Sequence, residues 1–304
     1  MGSVLSHLAP FDIASLLDAL IDSGISGNWV AAEVMYMYAS NTPERLEDLR
    51  SQIRRLIANF NVTEIDDRQP GTLDAYAFVR IATWLIDHGS KDEDAALAAV
   101  HLSEQAISLC IDRSQNYVDS NIMEELLPEV LAHCGDVAWP VLSNGITKHR
   151  DRIWTFEHLF GSPYAEGKAV AGSIFMVEWD LLRAWAHQNP DFGPAFLMRI
   201  APVFDAVSTP AKGSIRSWSR IVLHLLDEFG DRRDVLSALS NNMLTFCSWG
   251  SRVPLHQQYK DSLLGLVTHH RPSVAAWARR QLESQEQIIR SERSRDDEQK
   301  FGIF

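Results

Sequence analysis

The sequence predicts an all-α chain, an α-solenoid of roughly twelve to fifteen helices paired as hairpins. Two observations predict it. From Asp231 to Leu282 three helical patterns follow one another across short turns, which makes them antiparallel neighbours. Strand signals are almost absent: there is no sustained alternation of apolar and polar residues, and no Asn-Gly or Asp-Gly hairpin between β-branched runs. The dipeptide Asn144-Gly145 sits in a helix-like context.

Taken in order, the first helix starts at Pro10, carries Phe11, Ile13, Leu16, Leu17 and Leu20, and is broken by Gly24 and Gly27. A second runs from Asn28 to Tyr38. Thr42-Pro43 reads as a cap and first-turn proline. The helix after it carries Leu46, Leu49, Ile53, Leu56, Ile57 and Phe60 on one face and charged residues on the other. A polar loop with Asp66, Asp67 and Pro70-Gly71 follows. From Thr72 to Asp87 the pattern is apolar nearly all round, through Tyr76, Phe78, Ile81, Trp84 and Leu85, so this helix packs on several sides.

Asp92 to Ile111 is rich in alanine (Ala95, Ala96, Ala98, Ala99) and admits a close neighbour. Helices over 122–133 and 137–147 contain Pro128 and Pro140, and each is expected to be kinked at its proline or to start there. The helical pattern is weakest at Gly161 to Gly172, so a hinge loop is expected over 161–173. It separates an N-terminal half, 1–160, from a C-terminal helical half, 174–282. In that second half come Ile174 to His187, then a helix opened by Asn189-Pro190 and bent at Pro202, then Ile215 to Phe229 stopped by Gly230.

The last three patterns are Val235 to Phe246, a helix opened by Pro254 with Leu255, Tyr259, Leu263 and Leu266, and one opened by Pro272 with Val274, Trp277, Ala278 and Leu282. Residues 283–304 form a charged terminal helix and an apolar tail ending in Phe301 and Phe304. In that helix Glu286 with Arg290, and Arg293 with Asp297, fall at a spacing that supports solvated ion pairs.

Composition bounds the function. Of 304 residues 46% are hydrophobic and 22% charged, which suits a folded core and excludes a disordered chain. No apolar run approaches the roughly 18 residues that span a bilayer, and Met1 to Pro10 lacks the pattern of a signal peptide. The three cysteines, Cys110, Cys134 and Cys247, are too few and too far apart for a disulfide framework, so a cytoplasmic location is expected. The net charge of −12 lies wholly in residues 1–150, which hold 10 Lys/Arg and 22 Asp/Glu; residues 151–304 hold 18 of each. An acidic half repels phosphate backbones and favours a basic partner.

Motifs for catalysis are missing. Gly161 to Lys168 imitates a phosphate loop, yet five residues separate Gly161 from Gly167, and Ala169 stands where Ser or Thr would bind magnesium. The eleven histidines show no zinc-site spacing, and the neighbours His269 and His270 would point apart on a helix. Paired acids at Asp66-Asp67, Asp92-Asp94 and Glu124-Glu125 suit loops and helix starts. Neither a nucleophile elbow nor a promising cysteine is present. No catalytic residue, cofactor or metal is therefore expected.

Of nine tryptophans, Trp84, Trp185, Trp218 and Trp277 fall on apolar stripes and read as core. The candidate interaction surface is a basic edge of Arg216, Arg220, Arg232, Arg233, Arg252, Arg271, Arg279 and Arg280, joined by Trp249 and the terminal Phe301 and Phe304.

Two resemblances sharpen the expectation. The segment Arg271 to Leu282, with Val274, Ala278 and Leu282 four apart after a proline turn, resembles the second helix of a HEAT-type repeat. It implies degenerate HEAT/armadillo-like hairpins. The run Asn242 to Pro254, the stretch His269 to Glu283 and the end containing Arg295-Asp296-Asp297-Glu298 resemble the C-terminal region of large bacterial helical-repeat proteins. Those proteins carry an NTPase and an effector domain and are linked to anti-phage defence. Here, where the upstream domains are missing, the likeness implies a detached sensor-like module, a fragment, or a relative that acts with a separate partner such as an NTPase or effector.

The leading functional expectation is a non-enzymatic scaffold whose concave surface binds a protein. One alternative is a nucleic-acid-binding protein akin to the HEAT-like DNA glycosylases, which the net charge disfavours. Another is an acidic immunity or antitoxin protein that blocks a basic toxin.

Overall fold

The computed structural model describes residues 10–39, 43–61, 75–88, 93–111, 117–161, 173–204, 217–244 and 251–300. Among them all regular structure is helical, and the only extended pairing is an isolated antiparallel bridge between Phe204 and Trp218. Contacts divide the chain into two compact units, Met1–Phe160 with Met176–Leu181, and Gly161–Phe175 with Leu182–Phe304. No helix among the described residues is long and apolar enough to cross a membrane.

The first unit holds α1 (Pro10–Asp22), α2 (Ile25–Ala39), α3 (Arg50–Ala58), α4 (Ala75–His88), α5 (Glu93–Ile111), α6 (Tyr117–Lys148) and the start of α7 (Ile153–Gly161). Consecutive helices pair, α1 with α2, α3 with α4 and α5 with α6. Alternate helices also pack: α1 on α3, α2 on α4, α3 on α5 and α4 on α6. The alanine-rich face of α5, with Ala95, Ala98, Ala99, Leu102 and Ala106 buried, meets α6, where Gly145 lies against Ile107. Trp29, Phe60 and Phe78 form an aromatic knot, the two phenylalanines stacked at 4.5 Å.

Several boundaries differ from the sequence reading for local reasons. Gly24, at φ +97°, makes the break after α1, while Gly27 lies within α2. Pro43–Leu49 is a 3-10 segment leading into α3. The two proline-bearing helices expected over 122–133 and 137–147 meet at a kink inside α6, at Cys134 (φ −130°, ψ 29°), rather than bending at Pro128 or Pro140. Cys134 precedes Gly135, and a break beside glycine gives up little helix stability. The expected hinge and Cys247 lie largely or wholly outside the described residues, as do Asp66, Asp67 and Asp92.

The second unit holds most of α8 (Trp179–Gln188), α9 (Gly193–Ile200), α10 (Arg220–Phe229), α11 (Arg233–Leu244), α12 (Val253–Leu264) and α13 (Pro272–Lys300). Pro202 does not bend α9. The helix has already ended, because the residue before a proline is pushed out of the helical region, and Ala201 is extended at ψ 137°. α10 starts at Arg220 rather than near Ile215: Ser219 caps it, its Oγ accepting from the Val222 amide at 3.2 Å. Here α9 pairs with α10 and α12 with α13, while α9 packs on α11 and α11 on α13. The charged end of α13 is anchored along α12. Gln285 and Ile289 are buried, His256 Nδ1 bonds Gln285 Oε1 at 2.8 Å, and Glu286 pairs with Lys260 at 2.8 Å.

Side-chain ties between helices recur at one sequence spacing. In the first unit Arg55 donates to Asp18, Arg54 to Asp94, His101 to the Phe60 carbonyl and Thr155 to the Cys110 carbonyl, across 37 to 45 residues. In the second, Asn242 donates to the carbonyls of Met198 and Ala201, Trp218 to the Ser262 carbonyl, and Trp277 and Gln281 to Ser240, across 37 to 44 residues.

Candidate functional site

The second unit carries an open groove of about 450 Å³ between α11 and α13. Each helix contributes one face. Arg233, Leu236, Ser237 and Ser240 stand at positions i, i+3, i+4 and i+7 of α11, and Ser273, Ala276, Trp277 and Arg280 repeat that spacing on α13. Leu236 and Trp277 are buried and form an apolar floor. Trp277 Nε1 donates to Ser240 Oγ at 2.9 Å, and Gln281 Nε2 donates to the same oxygen at 3.2 Å. Ser240 in turn donates to the Leu236 carbonyl at 3.0 Å. The indole is thereby fixed.

Charges at the rim fall into two classes. Asp231 accepts from Ser273 Oγ and Arg271 Nη1, and these partners hold its carboxyl below the usual range, the serine contact most of all. Arg232 grips Asp234 with two parallel bonds, at 2.7 and 3.1 Å. Arg233 and Arg280 differ. Both are exposed, both line the groove, and neither has a hydrogen bond or ion pair among the described residues. Arg233 also occupies the first position of α11, where a cation opposes the helix dipole.

Next to the groove, the turn before α13 is clamped to the end of α10. Arg271 donates to the carbonyls of Asp227 and Glu228 as well as to Asp231. His269 Nε2 lies 3.1 Å and His270 Nδ1 3.6 Å from Asp227 Oδ1. The expectation that these histidines point apart assumed a helix; they lie beyond the end of α12, in a turn, and both reach the same carboxylate.

Asp227, His269 and His270 place three donor atoms within 4.8 Å of one another, a count that suits a metal. Their orientation does not. A metal lies in the plane of each imidazole that binds it, but the two rings are stacked, with centroids 4.5 Å apart and planes only 26° apart. Nearly parallel planes do not meet close to both rings. His269 Nδ1 also accepts the Arg271 amide at 3.2 Å, so in the neutral ring Nε2 carries the proton. A ligating Nε2 needs the opposite tautomer, with Nδ1 donating. The trio fits a helix clamp. Burial, followed by the nearby His270 charge, lowers the pKa of His269.

On α10 Glu228 binds His187 at 2.8 Å and Arg183 at 3.1 Å, which lower its pKa, His187 foremost. Elsewhere Cys110 is buried, which pushes its thiol up to about 12 and leaves it inert.

The predicted surface residues are thus sorted by their partners. Arg233 and Arg280 share the groove; Arg232 and Arg271 hold aspartates beside it. Arg220 contacts His224, Arg279 donates to the Val267 carbonyl, and Arg252 is exposed at the start of α12. Arg216, Trp249, Phe301 and Phe304 lie outside the described residues. Trp185 and Trp218 are buried against Phe196 and Phe204, while Trp84, expected in the core, is half-buried against His88. Sequence reasoning missed Ser237, Ser273 and Ala276, whose signal was the shared spacing on the two helices.

Comparisons of the chain with family models, with curated proteins and with solved structures find no match. A function must therefore be read from the site itself.

Proposed function

We propose that this chain is a non-enzymatic α-solenoid, built from degenerate HEAT-like hairpins, that binds a protein partner. One observation carries the reading: within each unit, alternate helices pack on one another, and their side-chain ties join residues about 40 apart. A HEAT or armadillo repeat has a period of about 40–47 residues, and each repeat touches its neighbours. Surfaces made by stacked hairpins suit extended partners. The titratable groups that gather, at Asp227 and at Glu228, serve to tie helices together and leave no nucleophile beside a base.

The link to anti-phage defence rests on the resemblance of the last third of the chain. The test is capture of partners on the tagged protein from its own cells, with and without phage challenge. A specific protein, an NTPase or effector above all, is the expected result. Recovery of nucleic acid alone, lost with nuclease and salt, would replace this reading with the nucleic-acid one.

A further inference from the structure

We infer that the groove between α11 and α13 docks an acidic segment of a protein partner, with Arg233 and Arg280 receiving its carboxylates. The inference rests on the protein-binding reading and supplies the chemistry of the partner. Charge complementarity carries it. Elsewhere in the second unit Arg183, Arg232, Lys260, Arg271 and Arg295 each hold a carboxylate, whereas Arg252 and Arg293, exposed outside the groove, hold none among the described residues. The two guanidiniums lining this groove hold none among the described residues.

Arg233 opposes its own helix dipole, and an incoming anion relieves that opposition. Asp231 does not supply that anion, because its oxygens are taken by Ser273 and Arg271. A guanidinium presents a planar fork that matches a carboxylate with two parallel hydrogen bonds. The exposed Ser237 adds a hydroxyl to the lining, and the Leu236–Trp277 floor takes the aliphatic part of a glutamate or a neighbouring apolar side chain. The volume suits one or two side chains, as expected where a short segment is seated. A nucleic acid fits less well: a tight phosphate interface takes several cations, and the chain as a whole carries −12.

The probe is a short fluorescein-labelled peptide alternating Glu and Ala, followed by anisotropy on the full-length protein. Controls are the same peptide with Gln for Glu and a single-stranded oligonucleotide of similar length. The proteins are wild type, Arg233→Ala/Arg280→Ala, and Arg252→Ala/Arg293→Ala, whose arginines lie outside the groove. The expected result is binding of the Glu peptide alone, weakened about tenfold by the groove pair and unchanged by the other pair. In labelled wild type the Trp277 indole signal, assigned with Trp277→Phe, shifts on titration. Equal loss in both double variants, preference for the oligonucleotide, or no binding would overturn the proposal. So would self-association of the protein that disappears in the groove variant, since the occupant would then be a second copy. Partner capture separates the two levels: a partner retained by Arg233→Ala/Arg280→Ala sinks the groove but not the scaffold, whereas no protein captured by wild type sinks the scaffold reading itself.

Discussion

The α5–α6 interface and the junction between the end of α10 and the start of α13 join helices by different means. The first is shape: small alanines on α5, a row of buried apolar residues on α6, and Gly145 closing over Ile107. At the second, Arg271, His269 and Ser273 reach back to Asp227 and Asp231 around Gly230, whose backbone lies under Val274. An apolar interface tolerates adjustment by side-chain rotation. A polar junction holds only while every partner is in place.

The sharpest test of that difference is a pair of identical substitutions. A Cβ at Gly230 would stand 2.3 Å from the Leu226 carbonyl oxygen and 2.4 Å from Val274, and the backbone atom cannot rotate away. Gly230→Ala should therefore destabilise the second unit by about 3 kcal/mol. At Gly145 the obstacle is the Ile107 side chain, with Cδ1 at 2.5 Å, Cγ1 at 2.7 Å and Cγ2 at 3.1 Å, so this half-buried side chain must shift as a whole, though no backbone atom stands in the way. Alanine also gains about 1 kcal/mol of helix propensity there, which offsets part of the overpacking, so Gly145→Ala should cost about 1 kcal/mol, less than Gly230→Ala. Urea unfolding, with amide exchange assigned to each unit, checks both; equal losses would erase the comparison.

An effect smaller than that of Gly230→Ala is expected from Arg271→Ala, which takes the half-buried guanidinium away from the carbonyls of Asp227 and Glu228 and from the exposed Asp231 carboxylate. The urea midpoint should fall, by less than in Gly230→Ala, and Arg271→Lys should not restore it, since one ammonium cannot span three acceptors. Faster exchange confined to the ends of α10 and α13 is the expected signature.

The smallest effect is a dependence on pH. Because the pKa of His269 is lowered in the fold, the unfolded chain takes up the proton first as pH falls. The contribution of His269 is complete above its unfolded value of about 6.5 and declines as pH drops from there towards the lowered folded value. Thermal melts from neutral to mildly acid pH should show that decline in wild type and a shallower one in His269→Gln. A steeper slope in the variant would mean that the proton strengthens the clamp.

What the sequence made legible follows this same divide. Helices and most of their stops are local, so Pro254, Pro272 and Gly230 marked boundaries that the structure keeps within a residue or two. The division inside α6 is legible too, since the patterns over 122–133 and 137–147 flank the kink at Cys134, whereas the kinks that Pro128 and Pro140 lead one to expect are not found there. The clamp was invisible for another reason: Arg271 meets Asp227 across 44 residues, and no pattern in either segment names the other. The groove stands between these cases. Its residues repeat at helical spacing on both helices, so the faces could be read; that Arg232 finds an aspartate while Arg233 does not depends on the fold.

The spacing of the inter-helix ties also governs how the chain reaches its fold. Apart from shorter links such as His256 to Gln285, the ties between helices close loops of about 40 residues, the length of one hairpin. Loop-closure entropy rises only slowly with length, and folding rates fall as contacts become more distant in sequence. Each helix pair can thus be completed soon after its neighbour exists, without waiting for the far end of the chain.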